Sequence, residues 1–380
     1  MSENHLGGCP GCLVFHLGGA RLLVSGATIR HFRLCLIRLC LTQVSGQPYH
    51  GATRAPGCPA HCPPFVVPVR SDSPVTYHIP RCRVLPLPDS QVSLQVDGHE
   101  RLRWHFAADA PRPFFYPLLG PTGSPLTRMG HPGAPNHDHH RSIWFAHAKV
   151  LGIDFWSDNT QARIRQKQWL AFQESDDEAL MAVELQWFDG HDPQPLVEQQ
   201  LVAAVRPAEG QETLVELQST FRPHSKTLEF GKTNFGFLAV RVAASLSAYF
   251  GGGQLTDSEG RQGEPAIFGQ RARWVDYSGP VPAGGQEGIT YFDHPSNPGY
   301  PTHWHVREDG WMGASACLAA PLEMTQQRPL ILRYLLHAHR GAASSAVSDP
   351  IAAAFAATPR YEIVKGAVKH TMFTIRRTSE

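Results

Sequence analysis

Apolar and polar positions alternate over short distances from residue 92 onward. Residues 92–96 and 102–106 flank the dipeptide Asp97-Gly98, and two alternating segments around such a dipeptide are typical of a β-hairpin. Further runs rich in Val, Leu, Trp and Phe follow at 114–119, 166–172, 179–188, 196–205, 212–221, 270–277, 288–292, 311–318 and 330–337. Turn residues separate many of these runs at intervals of roughly ten residues, which is the spacing of an all-β sandwich or barrel.

Two segments depart from this pattern. Residues 235–250 allow a strand, through Leu238 and Val240, or a helix, through their alanines. The alanine-rich residues 348–357 predict a late helix. The sequence has neither a P-loop nor a GxGxxG motif opening a helix, which argues against a nucleotide-binding fold. We therefore predict an all-β, mainly antiparallel fold, in which residues 71–380 form one large β-sandwich with few short helices.

Residues 1–70 differ in composition from the rest of the chain. They hold six arginines and no lysine against the single acidic residue Glu3, and seven of the eight cysteines lie within the first 82 residues. On paper, four of these cysteines could form a zinc site: Cys9, Cys12, Cys58 and Cys62. The alternative, which we favour, is a poorly ordered extension outside the functional domain, or translation from a start codon placed too far upstream.

Composition and charge argue against several classes of protein. The 380 residues are 42% hydrophobic and 18% charged, and the formal net charge of +1 gives no reason to expect nucleic acid or an anionic membrane surface as a partner. No run approaches the 18 or so apolar residues of a membrane helix, and residues 1–20 lack the basic n-region of a signal peptide. We therefore expect a cytoplasmic protein with neither a membrane nor a nucleic-acid partner.

Histidine is concentrated in residues 130–156, which contain His131, His137, His139, His140 and His147. Imidazoles titrate near neutral pH and bind metals, so this stretch is the best candidate for chemistry. On a strand, His137 and His139 would point to the same face and could hold one divalent metal. The third ligand would come from His294, His303 or His305. The alternative is that these histidines hydrogen-bond loop backbone beside a ligand cleft.

Two arginines are candidates for substrate binding. Arg141 offers a planar fork of donors to a carboxylate, a phosphate or sugar hydroxyls. The alternative is a structural salt bridge to Asp154 or Asp138. Arg241 could neutralise an acidic substrate or lie on the surface.

Tryptophans and a later segment supply further candidate contacts. Trp304 could stack on the apolar face of a sugar ring, whereas Trp144 and Trp156 are more typical of a core. Residues 293–305 are rich in proline and glycine and are predicted to form a loop, where binding residues are often found. The polar side chains of this segment include Asp293, His294, His303 and His305.

Nine short stretches occur in the order seen in a known family: YPLLGPTG (116–123), LTR (126–128), HDHHR (137–141), WFAH (144–147), GIDFW (152–156), RVA (241–243), WVDYSG (274–279), FDHPSNP (292–298) and PTHWHV (301–306). With these motifs the chain resembles the PmoA-type family of unknown function over residues 85–365. The resemblance implies a galactose-mutarotase-like supersandwich, an architecture common among carbohydrate-active proteins. The label methane oxygenase is not implied, because the methane monooxygenase subunit of that name is a multi-helix membrane protein.

Together with these residues, the resemblance implies a carbohydrate-processing enzyme (a hydrolase, lyase or epimerase) with histidine acid/base chemistry in a loop-rimmed cleft. The candidate acid and base groups are His139, His140 and His294, with Asp276 or Asp293 orienting an imidazole. The candidate substrate contacts are Arg141, His147, Trp304, His305 and Arg241. The ligand would be a small molecule or an oligosaccharide.

Two other functions stay open. A metal-dependent hydrolase or oxygenase would use His137 and His139 to hold one divalent metal as its cofactor. A non-catalytic sugar-binding module would use the same cleft and release its ligand unchanged. The number of histidines favours chemistry over binding alone.

Overall fold

The computed structural model describes residues 12–17, 20–25, 78–131, 133–134 and 137–379. The chain divides into two units, residues 1–75 and 76–380. In the first unit, β1 (Cys12–Leu17) and β2 (Ala20–Ser25) pair antiparallel. The proposed zinc ligands Cys9, Cys58 and Cys62 lie outside the described residues, as does most of the proposed extension, so both stay predictions.

The second unit consists mainly of strands. They are β3 (Cys82–Leu87), β4 (Gln91–Val96), β5 (His99–His105), β6 (Phe114–Leu118), β7 (Ile143–His147), β8 (Arg163–Glu174), β9 (Ala179–Phe188), β10 (Val197–Pro207), β11 (Thr213–Pro223), β12 (Thr227–Phe230), β13 (Gly236–Arg241), β14 (Gln254–Asp257), β15 (Trp274–Pro280), β16 (Gln286–Asp293), β17 (Trp304–Arg307), β18 (Trp311–Ala314), β19 (Leu322–Thr325), β20 (Leu330–Arg340), β21 (Tyr361–Lys365) and β22 (Phe373–Arg377). The helices are α1 (Ala248–Gly251), α2 (Glu264–Ile267) and α3 (Ser345–Ala357), and 3-10 turns lie at Glu209–Gln211 and Ala244–Leu246.

These strands form two large sheets. Sheet I has the strand order β17-β18-β13-β7-β6-β5-β4-β3, and sheet II has the order β14-β15-β16-β20-β11-β10-β9-β8. Two smaller pairs, β12 with β19 and β21 with β22, complete the unit. Every strand pair in the described part of the chain is antiparallel, which confirms the predicted all-β fold class.

The main core lies between the two sheets. Along β20, Leu332, Tyr334 and Leu336 join this core, because alternate side chains of a strand point to one face. On β7 of sheet I, the ring of Phe145 lies 6.3 Å from that of Tyr334. Burial of one such aromatic side chain contributes about 2 kcal/mol to folding.

The outer face of sheet II is covered by the last elements of the chain. Leu335 of β20 packs with Phe355 of α3, which confirms the late helix expected from the alanine-rich segment. The β21–β22 hairpin adds Tyr361 and Ile375 to a second cluster on the same sheet. The longest helix in the described ranges, α3, has 13 residues, and none there is long and apolar enough to span a bilayer.

The outer face of sheet I carries a different set of side chains. Residues 235–250, which allowed either a strand or a helix, contain both β13 and the short α1. Met312 and Val306 join the main core, whereas their neighbours Trp311 and His305 face the other side of β18 and β17. Alternation along adjacent strands thus gathers aromatic and polar residues over one outer surface.

Candidate functional site

A cavity of about 490 Å³ opens on this outer face of sheet I. Its walls come from the histidine-rich segment, from β13, β17 and β18, and from the turns beside them. The lining residues are His137, His139, His140, Ala148, Asp154, Trp156, Ser157, Phe235, Arg241, His305, Arg307, Asp309 and Trp311. The cavity therefore combines histidines, aromatic rings, and charged groups of both signs.

Trp156 and Trp311 form the apolar base of the cavity, and Trp144 packs against both. The ring of Trp144 lies 5.5 Å from that of Trp156 and 5.3 Å from that of Trp311, and all three are buried. The indole N–H of each has no hydrogen-bond partner in the described part of the chain. Buried indole N–H groups normally find an acceptor, so three unpaired donors in one cluster are unusual in a folded protein.

The histidine-rich segment forms a turn at the cavity. The backbone N–H of His140 donates to the carbonyl of His137 at 3.0 Å, which closes a turn of four residues, 137–140. The rings of His137 and His140 consequently stack at 5.0 Å with an interplanar angle of 12°. The expectation that His137 and His139 share one face of a strand is wrong here, because residues 137–139 are not a strand.

The histidines against the aromatic base are held neutral. Burial first, and then the charge of His139 and Arg241, lowers the pKa of His140 to about 2. Burial and the charge of Arg307 lower the pKa of His305 to about 4. At neutral pH each ring can donate from one nitrogen and accept at the other, or bind a metal.

Arg241 and Asp309 form an ion pair in the cavity wall. Arg241 has no exposed surface, so the surface alternative for this residue is wrong. Its two terminal nitrogens lie 2.8 Å from Oδ1 and 3.2 Å from Oδ2 of Asp309, which precedes β18. Burial opposes ionisation of Asp309, but the hydrogen bonds and charge of Arg241 outweigh it and lower its pKa.

Arg141 lies beside the cavity and makes an ion pair of its own. Its terminal nitrogens lie 2.6 Å and 3.0 Å from the carboxylate of Asp158, to which Arg112 also donates at 2.9 Å. Asp154, one of the two partners expected for Arg141, instead accepts the backbone N–H of Trp156 at 2.7 Å. Arg141 does not line the cavity, and substrate binding by its guanidinium stays a prediction.

Two other predicted substrate contacts are core residues. His147 is fully buried between Phe230 and Phe237, and burial lowers its pKa to about 3. Trp304 is also fully buried, and its indole N–H donates to the carbonyl of Ala272 at 2.9 Å. Neither side chain lines the cavity.

Two of the predicted catalytic residues lie elsewhere in the fold. Asp276, on β15 of sheet II, accepts hydrogen bonds from Thr290 at 2.6 Å and from His339 at 2.7 Å. His294 packs on Phe355 of α3 at 4.7 Å. The structure therefore brings together His137, His139, His140, His305 and Arg241 at the cavity, but neither Asp276 nor His294.

Sequence reasoning missed several residues of the site. It did not nominate Asp309, Trp311 or Phe235, which come from turns and a strand beside the cavity. It also did not assign a role to His131, whose ring lies 5.5 Å from that of His137. One donor atom from each of His131, His137 and Asp309 lies within 4.8 Å of the others. In the sequence, the dipeptide Asp309-Gly310 signals only a turn.

Comparison with known proteins places the chain in a family. Residues 91–353 match DUF6807, a family of unknown function, and the chain belongs to that family. The expectation of a family of unknown function is thus confirmed, whereas the PmoA name has no support from this match. No curated protein matches the chain in sequence.

Solved structures show low similarity. A proposed mutarotase (YeaD) from Salmonella typhimurium has a TM-score of 0.28 and 16% identity, over 68% of this chain and 94% of that one. A proposed kojibiose phosphorylase from the human microbiome has a TM-score of 0.26 and 7% identity, over 73% of this chain and 36% of that one. At these TM-scores the description of the fold rests on the strand order of the two sheets.

Proposed function

We propose that this protein binds and processes a small carbohydrate, or a related polyhydroxylated compound, in the cavity of sheet I. The observation that carries the proposal is the meeting of an aromatic base with polar groups on the same walls. A sugar ring offers an apolar face to Trp156 or Trp311 and hydroxyl groups to the imidazoles and to Arg241. The cavity volume of about 490 Å³ lies within the usual range for a small-molecule site.

We assign different roles to two histidines of the cavity, hydrogen bonding to His140 and proton transfer to His139. His140 is neutral and buried against Trp311 at 4.8 Å, so it serves as a fixed hydrogen-bonding group. We assign proton transfer to His139, which is less buried and also lines the cavity. The negative charge near it is the carboxylate of Asp158, whose pKa the charge of His139 helps to lower. His294 and Asp276 have no place in this mechanism because neither lines the cavity.

The proposal is tested with the full chain and a panel of neutral and acidic sugars. We expect at least one sugar to raise Tm in a saturable manner. Trp311→Ala should abolish this shift, whereas Trp169→Ala, on β8 of sheet II, should retain it. Absence of any shift across mono- and oligosaccharides would contradict binding.

Catalysis is tested separately from binding. Once a sugar is identified, product formation is followed by chromatography in the wild type and in His139→Ala. We expect His139→Ala to bind the sugar and to lose turnover by at least about a hundredfold, as for removal of a general acid or base. A wild type that binds the sugar and leaves it unchanged would instead be a non-catalytic sugar-binding module.

A further inference from the structure

We infer that His131, His137 and Asp309 hold one divalent transition-metal ion at this cavity. Their donor atoms come from two separate parts of the chain and lie within 4.8 Å of one another. The role of the ion in carbohydrate chemistry rests on the proposed function, whereas binding of the ion is measured without any sugar.

The distance between His131 and Asp309 fits a shared ion better than a hydrogen bond. Nε2 of His131 lies 3.6 Å from Oδ2 of Asp309, which is too long for a hydrogen bond. Two ligands of one tetrahedral zinc ion lie roughly 3.3 Å apart, given metal–ligand distances near 2 Å. Binding of an ion therefore requires only a small movement of these two side chains.

Unpaired ring nitrogens provide a second, independent observation. The Nδ1 atoms of His131, His137 and His140 are all buried, and none has a hydrogen-bond partner in the described ranges. His140 itself is about nine-tenths buried, and its ring stacks directly on that of His137. Three neighbouring imidazoles with unpaired nitrogens are unusual in a folded protein. Because Nε2 of His131 faces Asp309, the unpaired Nδ1 of His137 is the member of this set that can bind the same ion.

The charges around the site indicate which ion it takes. Arg241 already pairs with Asp309, but each carboxylate oxygen keeps a second lone pair that can bind a metal. Arg128 also lies close, donating to the backbone carbonyl of Asp309 at 2.9 Å. This positive surrounding disfavours magnesium and calcium, which need several anionic oxygens, whereas two imidazoles and one carboxylate suit zinc or iron(II).

Three protein ligands leave coordination positions open toward the cavity. His137 and Asp309 both line it, so a sugar hydroxyl or a water molecule can reach an ion held there. When bound, the ion would lower the pKa of such a hydroxyl or water, and the imidazole of His140 would lie beside it as a hydrogen-bonding group. The metal site predicted from the sequence used His137 and His139, and of these two residues only His137 belongs to the site inferred here.

The test is metal analysis of the full chain, purified without a histidine tag or chelator. We expect about one zinc or iron per chain by plasma mass spectrometry, and at least about tenfold less in His137→Ala and in Asp309→Asn. The exposed control variants His224→Ala and Asp192→Asn should keep the metal. Because Asp309→Asn also weakens the ion pair with Arg241, His131→Ala is measured as well, with a thermal melt of each variant.

The outcomes separate this inference from the proposed function. If the wild type is purified metal-free, zinc(II) and iron(II) are titrated into it calorimetrically, and failure of both to bind overturns the inference. Metal retained in folded His131→Ala and His137→Ala also overturns it. A metal-free protein whose Tm still rises with a sugar would keep the proposed function and lose the metal site. One metal ion per chain, with no change of Tm on addition of any sugar, would keep the metal site and contradict the proposed function.

Discussion

Arg241, with no exposed surface, directs both terminal nitrogens at the carboxylate of Asp309, whose side chain is 29% exposed. The two residues are 68 positions apart in sequence, and they meet because Arg241 on β13 pairs in register with Trp311 on β18. The pairing of β13 with β18 therefore fixes the position of the ion pair. The buried guanidinium of Arg241 depends more on its counter-charge than the partly exposed carboxylate of Asp309 does.

The unequal burial of this pair makes the effects of substitution unequal. Asp309→Ala leaves a buried guanidinium without a counter-charge and should lower the free energy of unfolding by about 3 kcal/mol. The double variant Arg241→Met/Asp309→Ala should recover part of this loss, because no charge remains buried. Urea unfolding of the wild type, both single variants and the double variant gives the interaction free energy between Arg241 and Asp309. A double variant less stable than Asp309→Ala alone would contradict this account.

Glu216 should control stability in acid. Burial raises its pKa, but hydrogen bonds and charges from Arg377, Arg206 and Arg333 outweigh burial and lower the pKa from 4.5 to about 2. A carboxyl group with a lowered folded-state pKa stabilises the protein above pH 4.5, and this contribution is lost as the pH falls toward 2. We expect a loss of about 3 kcal/mol across this interval. Tm measured from pH 6 to pH 2 should fall less steeply in Glu216→Gln than in the exposed control Glu198→Gln.

His147 should act on stability and not on the ligand. Its folded-state pKa of about 3 lies below the ordinary value of 6.5, so the unfolded chain takes up a proton first as the pH falls. The neutral ring therefore contributes stability above pH 6.5, and about 3 kcal/mol of it is lost between pH 6.5 and pH 4.5.

His147→Leu tests this assignment directly. The variant should show a smaller fall in Tm over that interval than the control His224→Leu, and the same sugar-induced shift as the wild type. Loss of the sugar response in a folded His147→Leu protein would support the earlier prediction that His147 contacts substrate.

Deletion of residues 1–70 should leave a folded protein. The described members of the main core all lie between Cys82 and Ala338, and both eight-stranded sheets lie in the second unit. We expect the truncated chain to melt cooperatively, with the same metal content and sugar response as the full chain. A broad, non-cooperative melt by circular dichroism would show that the first 70 residues are needed for folding.

The strands were predictable because their signal is local. Residues 179–188 are a run rich in Leu, Val, Trp and Phe that alternates only in its second half, and β9 has those bounds. The hairpin around Asp97-Gly98 is equally local, since both residues adopt positive φ angles between β4 and β5. A period of two, or a turn dipeptide, is read within ten residues without knowledge of the partner strand.

The site was only partly predictable because its residues meet through long-range pairing. The histidine-rich stretch was recognised, but His140 packs on Trp311, which lies 171 positions further along the chain. The stacking of His137 on His140 depends on a turn of four residues, and no period in HDHHR distinguishes such a turn from a strand. Asp309 could be found only by knowing that β13 pairs with β18.

The link between Glu216 and Arg377 also bears on how fragments of this protein are chosen. The family match ends at residue 353, yet Arg377 of β22 donates to both carboxylate oxygens of Glu216, at 2.9 Å and 2.7 Å. A fragment cut to residues 91–353 would also omit β3, and so uncover the edge strand β4. The family match therefore covers a shorter segment than the folded unit. A fragment with those bounds would leave Glu216 with Arg206 and Arg333 but without Arg377, its bidentate partner.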